Sequence, residues 1–374
     1  MPTMPPEPND PPLYLRFFDQ VVALRSDAPN IVHLFARMYR HFVVPPEPRL
    51  AATAWPVSVT TRGEPTLRLG DQARRLGAAG LLDGFVYETA LYAILARVRS
   101  HYLAHAGAVA RGGQGLVLAG EAGHGKTTLV LELARRGWDF LSDELAALDR
   151  ADGRLHPFPR ALRLRPDTLA RVGLALPPNA ELWQGKYLVD VDDLLPERRG
   201  GAAALGAVIF LDSGAPEAGP QPLTVRVDRA DAALLDAIRA LPGVTGLDVS
   251  GPAAYPLLSV QTADRMPVLA AIEHLCREQA ILILDVVKRA EQAANFSGTP
   301  QLTPLTPSEA AARLLGHFQG GHHAALLHED YGGQATRLFL AVARLSAPAK
   351  CYRLRVGPLA ATADLVEGVL DAQG

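Results

Sequence analysis

The order of apolar segments predicts an α/β protein in which a phosphate-loop core carries a small inserted βαββαβ unit and is preceded by an α+β region. Two observations lead to it. The apolar run 115–119 is followed at once by a glycine-rich loop and a helical pattern, the strand, loop and helix order of a phosphate-binding unit. Farther on, residues 223–287 alternate between strand and helix periods in the order β-α-β-β-α-β, the order of ferredoxin-like units.

At 374 residues the chain is longer than one ordinary core requires and suggests two or three domains. Hydrophobic residues make up 48% and charged residues 20%, with a formal charge of -2, so charge gives no reason to expect nucleic acid. Cys276 and Cys351 lie far apart with no CxxC pairing, which argues against a disulfide framework and for a reducing, cytoplasmic setting. Residues 1–12 are rich in proline and acidic groups and lack a signal-like basic and apolar pattern. They are expected to be a disordered lead. No apolar run is long enough for a spanning helix, so no membrane partner is expected.

Residues 13–83 form the expected α+β region: 14–23 and 31–42 carry apolar residues at mixed periods, and 57–69 alternates like a hairpin. A helix over 84–100 places Leu91, Ile94, Leu95 and Val98 near one face and opens the first part of the core, 84–213. Strands are expected at 105–109 and 115–119. The segment Gly120, Glu121, Ala122, Gly123, His124, Gly125, Lys126, Thr127, Thr128 then matches G-x-x-x-x-G-K-[ST] and leads into a helix over 129–136.

The residue types follow from phosphate chemistry. Glycines let successive backbone N–H groups turn inward toward phosphate oxygens, and a helix N-terminus adds its dipole. Lys126 is placed to reach the β and γ phosphates, and Thr127 offers a hydroxyl to Mg²⁺. ATP and Mg²⁺ are therefore the expected cofactors. After Gly137, a candidate helix C-cap, residues 140–145 read as a short strand ending in Asp143 and Glu144, expected to run beside the loop strand. A carboxylate there can hold Mg²⁺, and a second can take a proton from an attacking hydroxyl. An exposed acidic turn is the plain alternative.

His105, the strand after it, the Gly120 to Thr127 loop, Leu133-Ala-Arg-Arg-Gly137-Trp138 and Leu141-Ser-Asp143-Glu144 together resemble HPr kinase/phosphorylase, most clearly over residues 102–148. The resemblance implies a fold related to HPr kinase and phosphoenolpyruvate carboxykinase, and phosphoryl transfer from ATP to a serine-type hydroxyl. It also implies catalytic roles for Asp143, Glu144, His105 and Lys126, with Thr127 and Asp143 at the metal. Glu144 stands where that family has a second aspartate, the loop ends Lys-Thr rather than Lys-Ser, and the Leu-Glu-Ile-Arg-Gly-Leu-Gly type signature is missing. HPr as substrate and the phosphorylase reaction are accordingly not carried over. The acceptor is expected to be another protein, a peptide or a small hydroxyl compound, and a homo-oligomer is left open. A nucleotide-dependent switch protein and a plain ATPase are the competing readings.

Downstream, Arg160 follows a Pro-Phe-Pro turn and is a candidate phosphate or substrate contact. Arg163 and Arg165 alternate with leucines on one strand face, which fits either a phosphate clamp or a solvated edge. Lys186 follows a loop and is either a further phosphate contact or simply an exposed lysine. Residues 204–212 form another buried strand, and linkers by composition follow at 213–220 and 293–303. They bracket the inserted unit, 222–290. In the last part, 302–374, Ser308 is expected to cap a helix through 315, followed by a helix at 335–345 and a strand at 351–356, all packing back on the core. His317, His322, His323 and His328 match no metal-ligand spacing. The 331–341 segment is not followed by the acidic strand a transporter-type ATPase requires, and no guanine-reading Asn-Lys-x-Asp occurs.

Overall fold

A computed structural model describes residues 11–62, 65–75, 82–121, 123–183, 185–212, 222–251, 256–279, 281, 283–287 and 296–371. Ala122, the linker at 213–220, most of the 1–12 lead and the start of the 293–303 linker lie outside the described residues.

The first elements are β1 (Leu13–Phe17), β2 (Gln20–Ser26), α1 (Pro29–Met38), α2 (Pro48–Thr53), β3 (Trp55–Thr60), β4 (Thr66–Leu69) and β5 (Gln72–Arg75), followed by α3 (Leu82–Leu95). The strands form one sheet in the order β1-β2-β3-β4-β5. Alternation buries Val57, Val59, Leu67 and Leu69 on its inner face, against Ile31, Phe35 and Met38 of α1 and Val86, Ala90 and Ile94 of α3. The same apolar cluster continues without a break into Leu103, Leu145, Ala147, Phe158 and Leu188 of the segments that follow.

Those segments are β6 (His101–Arg111), β7 (Gln114–Ala119), α4 (Lys126–Arg135), β8 (Asp139–Ser142), β9 (Leu145–Asp149), β10 (Leu155–His156), β11 (Leu162–Leu164), α5 (Pro166–Val172), β12 (Glu181–Trp183), β13 (Lys186–Val189), α6 (Val191–Leu194) and β14 (Ala204–Asp212). The inserted stretch comprises β15 (Leu223–Val227), α7 (Ala232–Arg239), β16 (Val244–Ser250), β17 (Leu257–Thr262), α8 (Arg265–Glu278) and β18 (Ile283–Val287). The chain ends with β19 (Gln301–Pro304), α9 (Pro307–Leu315), α10 (Gly320–Ala325), α11 (Ala335–Ser346), β20 (Lys350–Arg355) and α12 (Leu359–Asp371).

The main sheet runs β10-β9-β6-β7-β14-β20-β19, with β8 paired to β6. β7, β14 and β20 are mutually parallel, whereas β6 lies antiparallel to β7. One face packs on α4 and α12 through Leu129, Leu133, Val366 and Val369, and the other on α9 and α11 through Ala311, Leu314, Leu338 and Val342. This is a helix, sheet, helix sandwich with the glycine-rich loop at the end of its central strand. The inserted stretch has its own sheet, β16-β17-β15-β18, all antiparallel, and its own core of Val225, Leu234, Ile238, Leu258, Ile272 and Cys276. The chain leaves the main sheet at β14 and rejoins it at β19. No helix among the described residues is long and apolar enough to cross a membrane.

Several expectations need correction. The strand that ends at Asp143 does not run beside β7: β8 pairs antiparallel with β6, so β6 separates the two. An 11-residue β6, buried along nearly its whole length, reaches past β7 and offers its free edge to β8 and then β9. Ser308 is not the cap of α9. Thr306 is, in a capping box with Glu309, and Pro307 takes the first helical position that suits it. Thr303 belongs to β19 rather than to a linker, and Pro304 is tolerated there because β19 is an edge strand. The 84–100 helix ends at Leu95.

α4 ends where its sequence demands. Gly137 adopts φ +102°, and the N–H groups of Gly137 and Trp138 return to Ala134 O and Leu133 O at 3.0 and 3.1 Å. Trp138, fully buried, donates its indole N–H to Glu367 at 3.0 Å, while Arg136 binds Asp364 and Glu367, tying α12 to the end of α4. At its other side α4 lies so close to β6 that a Cβ on Gly107 would stand 2.5 Å from Val130 Cγ2. Gly107→Ala is expected to destabilise the protein by about 1–3 kcal/mol, and Val130→Ala in the same chain to recover part of that loss. Urea denaturation of the two single variants and the double variant measures the coupling.

Candidate active site

The loop between β7 and α4 turns on Gly123 and Gly125, at φ +83° and +87°, values that side chains with a Cβ rarely adopt. Gly120 is confined for a different reason, since a Cβ there would lie 3.0 Å from Leu211 Cβ on β14. His124 is buried and its Nδ1 meets Leu211 O at 3.1 Å, so it anchors the loop to β14 rather than facing the cavity. Lys126 opens α4. Its ammonium donates to Gly120 O and Glu121 O at 2.7 and 3.1 Å, which holds the amine over the loop. Burial lowers its pKa, against the pull of Glu144, Glu121 and Asp143.

The acidic pair arrives from β8. Ser142 at its end accepts the N–H groups of Glu144 and Leu145 at 3.2 and 3.0 Å, forming a tight turn that carries Asp143 and Glu144 toward the loop. Thr127 donates its hydroxyl to Asp143 Oδ2 at 3.3 Å. Asp143 is 4% exposed, and among the described residues its Oδ1 has no hydrogen-bond partner. Burial raises its pKa, with Arg160 pulling the other way. Such an orphaned carboxylate oxygen next to a threonine hydroxyl is a donor set that suits a hard divalent cation.

Glu144 is held differently. Arg160 binds Glu144 Oε2 at 2.8 Å, and His105 Nδ1 lies 3.4 Å from Oε1. Desolvation opposes the charge of Glu144, but Arg160, His105 and Lys126 together outweigh it and hold the carboxyl well below its usual range. Arg160 itself is 5% exposed and fixed by its ion pair. Its backbone position is set by the Pro-Phe-Pro turn and by Ala161 N–H bonding Met38 O at 2.8 Å.

These groups share one cavity of about 500 Å³, lined by Gly123, Gly125, Lys126, Thr127, Thr128, Asp143, Glu144, His105 and Arg160. Of the residues expected at the site, Gly120, Glu121 and His124 shape the loop without lining the cavity. The lining also takes in Arg163 and Lys186 from β11 and β13, and Arg165 at the start of α5. Sequence reasoning missed Asp167, Thr168, Arg171 and Phe296. Phe296 lies against Gly125, where a Cβ would meet its ring at 3.0 Å, and Arg171 sits over its face at 5.3 Å. Arg171 is four residues past Asp167, a spacing that marks one helix face. Phe296 carries no local signal, since it reaches the loop from far along the chain.

Among the described residues of the last part, His323 and His328 share Glu273 as a neighbour, whereas His322 bonds a backbone carbonyl. His322 is fully buried with Nδ1 at 3.2 Å from Leu95 O, and His323 lies 3.7 Å from Glu273.

No family model matches the chain, and no curated protein matches it. Among solved structures, the HPr(Ser) kinase/phosphatase from Coxiella burnetii aligns with 48% of this chain and 95% of its own, at 17% identity and a TM-score of 0.21. That is a weak likeness to a kinase, and it settles neither fold nor activity.

Asp143→Asn is expected to stabilise the protein in the absence of nucleotide by about 1 kcal/mol at neutral pH, because it removes a buried charge with an unsatisfied oxygen. The sign with pH follows from the raised pKa. The folded protein holds this proton more tightly than the unfolded chain, so wild-type stability falls as pH rises above the ordinary aspartate value of 3.8. The advantage of the asparagine variant therefore grows over that range and vanishes in acid. Denaturation midpoints of the two proteins across pH check it. Arg160→Ala acts in the opposite sense, with an expected loss of about 1.5–3 kcal/mol, measured in the same way.

Proposed function

We propose that the chain is an ATP-dependent phosphotransferase that moves the γ-phosphoryl group to a hydroxyl of a protein, peptide or small molecule. The observation that carries this reading is the convergence of Lys126, Thr127, Asp143 and the His105–Glu144–Arg160 cluster on one cavity. A phosphate loop alone fits any nucleotide-binding protein; a buried Asp143, a half-buried Glu144 and an imidazole lining the same space fit group transfer.

The loop N–H groups and Lys126 would hold the phosphates, and Thr127 with Asp143 would hold Mg²⁺, whose chemistry is to neutralise charge on the β and γ phosphates. With its Nδ1 tied to Glu144, His105 is left with Nε2 as the group that takes the acceptor's proton. Glu144, kept ionised by Arg160, stabilises the imidazolium so formed. The γ-phosphoryl group leaves the β-phosphate oxygen and bonds to the acceptor oxygen, with ADP as the leaving group. Arg163, Arg165 and Lys186 add positive charge to the cavity lining, which suits phosphate or an acidic acceptor.

Incubation of the protein with γ-labelled ATP and the macromolecular and small-molecule fractions of a lysate, each tested separately, should label an acceptor in one of them. Lys126→Ala, Asp143→Asn and His105→Ala should each lower the rate by about 100-fold or more. Labelling that survives Asp143→Asn and His105→Ala would overturn the assigned roles. ATP binding without transfer or hydrolysis would instead favour a nucleotide-dependent switch.

A further inference from the structure

A second cluster lies on β6, four residues before His105 and about 13 Å from it along the strand. His101, at the start of β6, stands opposite Asp149 at the end of β9, and His156 on β10 comes alongside. His101 Nε2 is 3.1 Å from His156 Nδ1 and 3.8 Å from Asp149 Oδ2, and one ligand atom from each of the three falls within 4.8 Å of the others. We propose that His101, His156 and Asp149 bind a transition-metal dication of the zinc type that links β6 to the β9–β10 hairpin.

The orientation of His101 is fixed by a relay. Ser100 Oγ donates its one hydrogen to Asp19 Oδ1 at 2.8 Å, so at 2.7 Å from His101 Nδ1 it accepts the imidazole N–H. His101 therefore carries its proton on Nδ1, and the Nε2 lone pair points at His156. A hydrogen-bonded outer nitrogen of this kind is the usual second partner of a metal-binding imidazole. Phe18, at φ +57° in the β1–β2 turn, stacks on the His101 ring at 3.9 Å between centroids and fixes its plane.

Asp149 is prepared in a similar way. Its Oδ1 accepts the N–H groups of Ala151 and Asp152 at 2.7 and 3.4 Å, which leaves Oδ2 turned toward the imidazoles. Zinc bonds nitrogen at about 2.0–2.1 Å, which sets two nitrogens of a tetrahedral site about 3.3 Å apart, close to the observed 3.1 Å. The charges facing His101 are those of Asp149, Asp19 and Asp152, all acidic, together with His156. Two imidazoles and a carboxylate with a fourth position open suit zinc or cobalt(II) better than magnesium, which prefers oxygen. The hydrogen-bonded relay to Asp19 means that the ion would also fasten the first sheet, through the β1–β2 turn, to the strand that carries His105.

Cobalt(II) titration, followed by its visible ligand-field absorption, tests this in chains that already carry Asp143→Asn, so that the phosphate-loop carboxylate does not contribute. The expected result is one equivalent of cobalt with intense low-coordinate bands, displaced by zinc, and affinity lowered at least about tenfold by His156→Gln and by Asp149→Asn. Asp149→Asn keeps the Oδ1 acceptor that shapes the turn, so it remains informative if the histidine variant fails to fold. Two imidazoles that merely share a proton give no such bands. Their absence, or equal cobalt affinity in the parent and both variants, overturns the proposal.

Discussion

Arg160 is the residue on which the site and its surroundings both depend. A guanidinium buried to 5% exposure must have an anion beside it, and Glu144 at 2.8 Å is that anion. Burying the Arg160 charge is costly even with a Glu144 side chain that stays 30% exposed, and the pair is worth keeping only if its geometry is fixed. The Ser142 turn fixes Glu144, the Pro-Phe-Pro turn fixes Arg160, and His105 takes the remaining Glu144 oxygen. The hydroxyls of Tyr39 and Tyr87, 2.8 Å apart, lie on the other side of Arg160 and belong to the core of the first sheet. Their phenols are pushed toward the neutral form by burial. The end of α1 and helix α3, which pack on the first sheet, therefore back the Glu144–Arg160 pair, and separating them from it would expose the ion pair.

The second constraint is steric. α4 begins at Lys126 and carries Thr127 and Thr128, so the position of the glycine-rich loop is the position of this helix. Gly107 lets α4 approach β6, Gly120 lets the loop pass β14, and Trp138 with Glu367 ties the far end of the helix to α12. Close packing leaves little freedom for the loop to drift. Asp143 reaches Thr127 because β8 hangs on the same β6 that bears His105. One long strand thus sets the distances among His105, the acidic pair and the loop.

Much of this was legible from the residues. The glycine-rich loop specified itself through its spacing and its apolar strand, and the βαββαβ order of 223–287 followed from a change of period that the backbone repeats. Asp143 and Glu144 stood out because a strand ended on them. Strand neighbours were less legible: nothing local says that β8 joins β6 rather than β7, since pairing across a sheet is decided by which edge is free. Thr306 displaced Ser308 as a cap because Pro307 fits the first helical position and Glu309 completes a reciprocal bond, a pattern visible only when all four residues are read together. Phe296 and Arg171 reach the cavity through tertiary packing, and His101 with Asp149 and His156 becomes a cluster only once β6, β9 and β10 are aligned.

The most direct measurement is calorimetric titration with ATP, with and without Mg²⁺, of the wild-type chain and of Asp143→Asn. The account predicts that the wild-type protein binds ATP and that Mg²⁺ tightens binding, and that Asp143→Asn binds ATP but loses most of the Mg²⁺ effect. A wild-type chain that binds no ATP, or a variant whose Mg²⁺ dependence is unchanged, would contradict it.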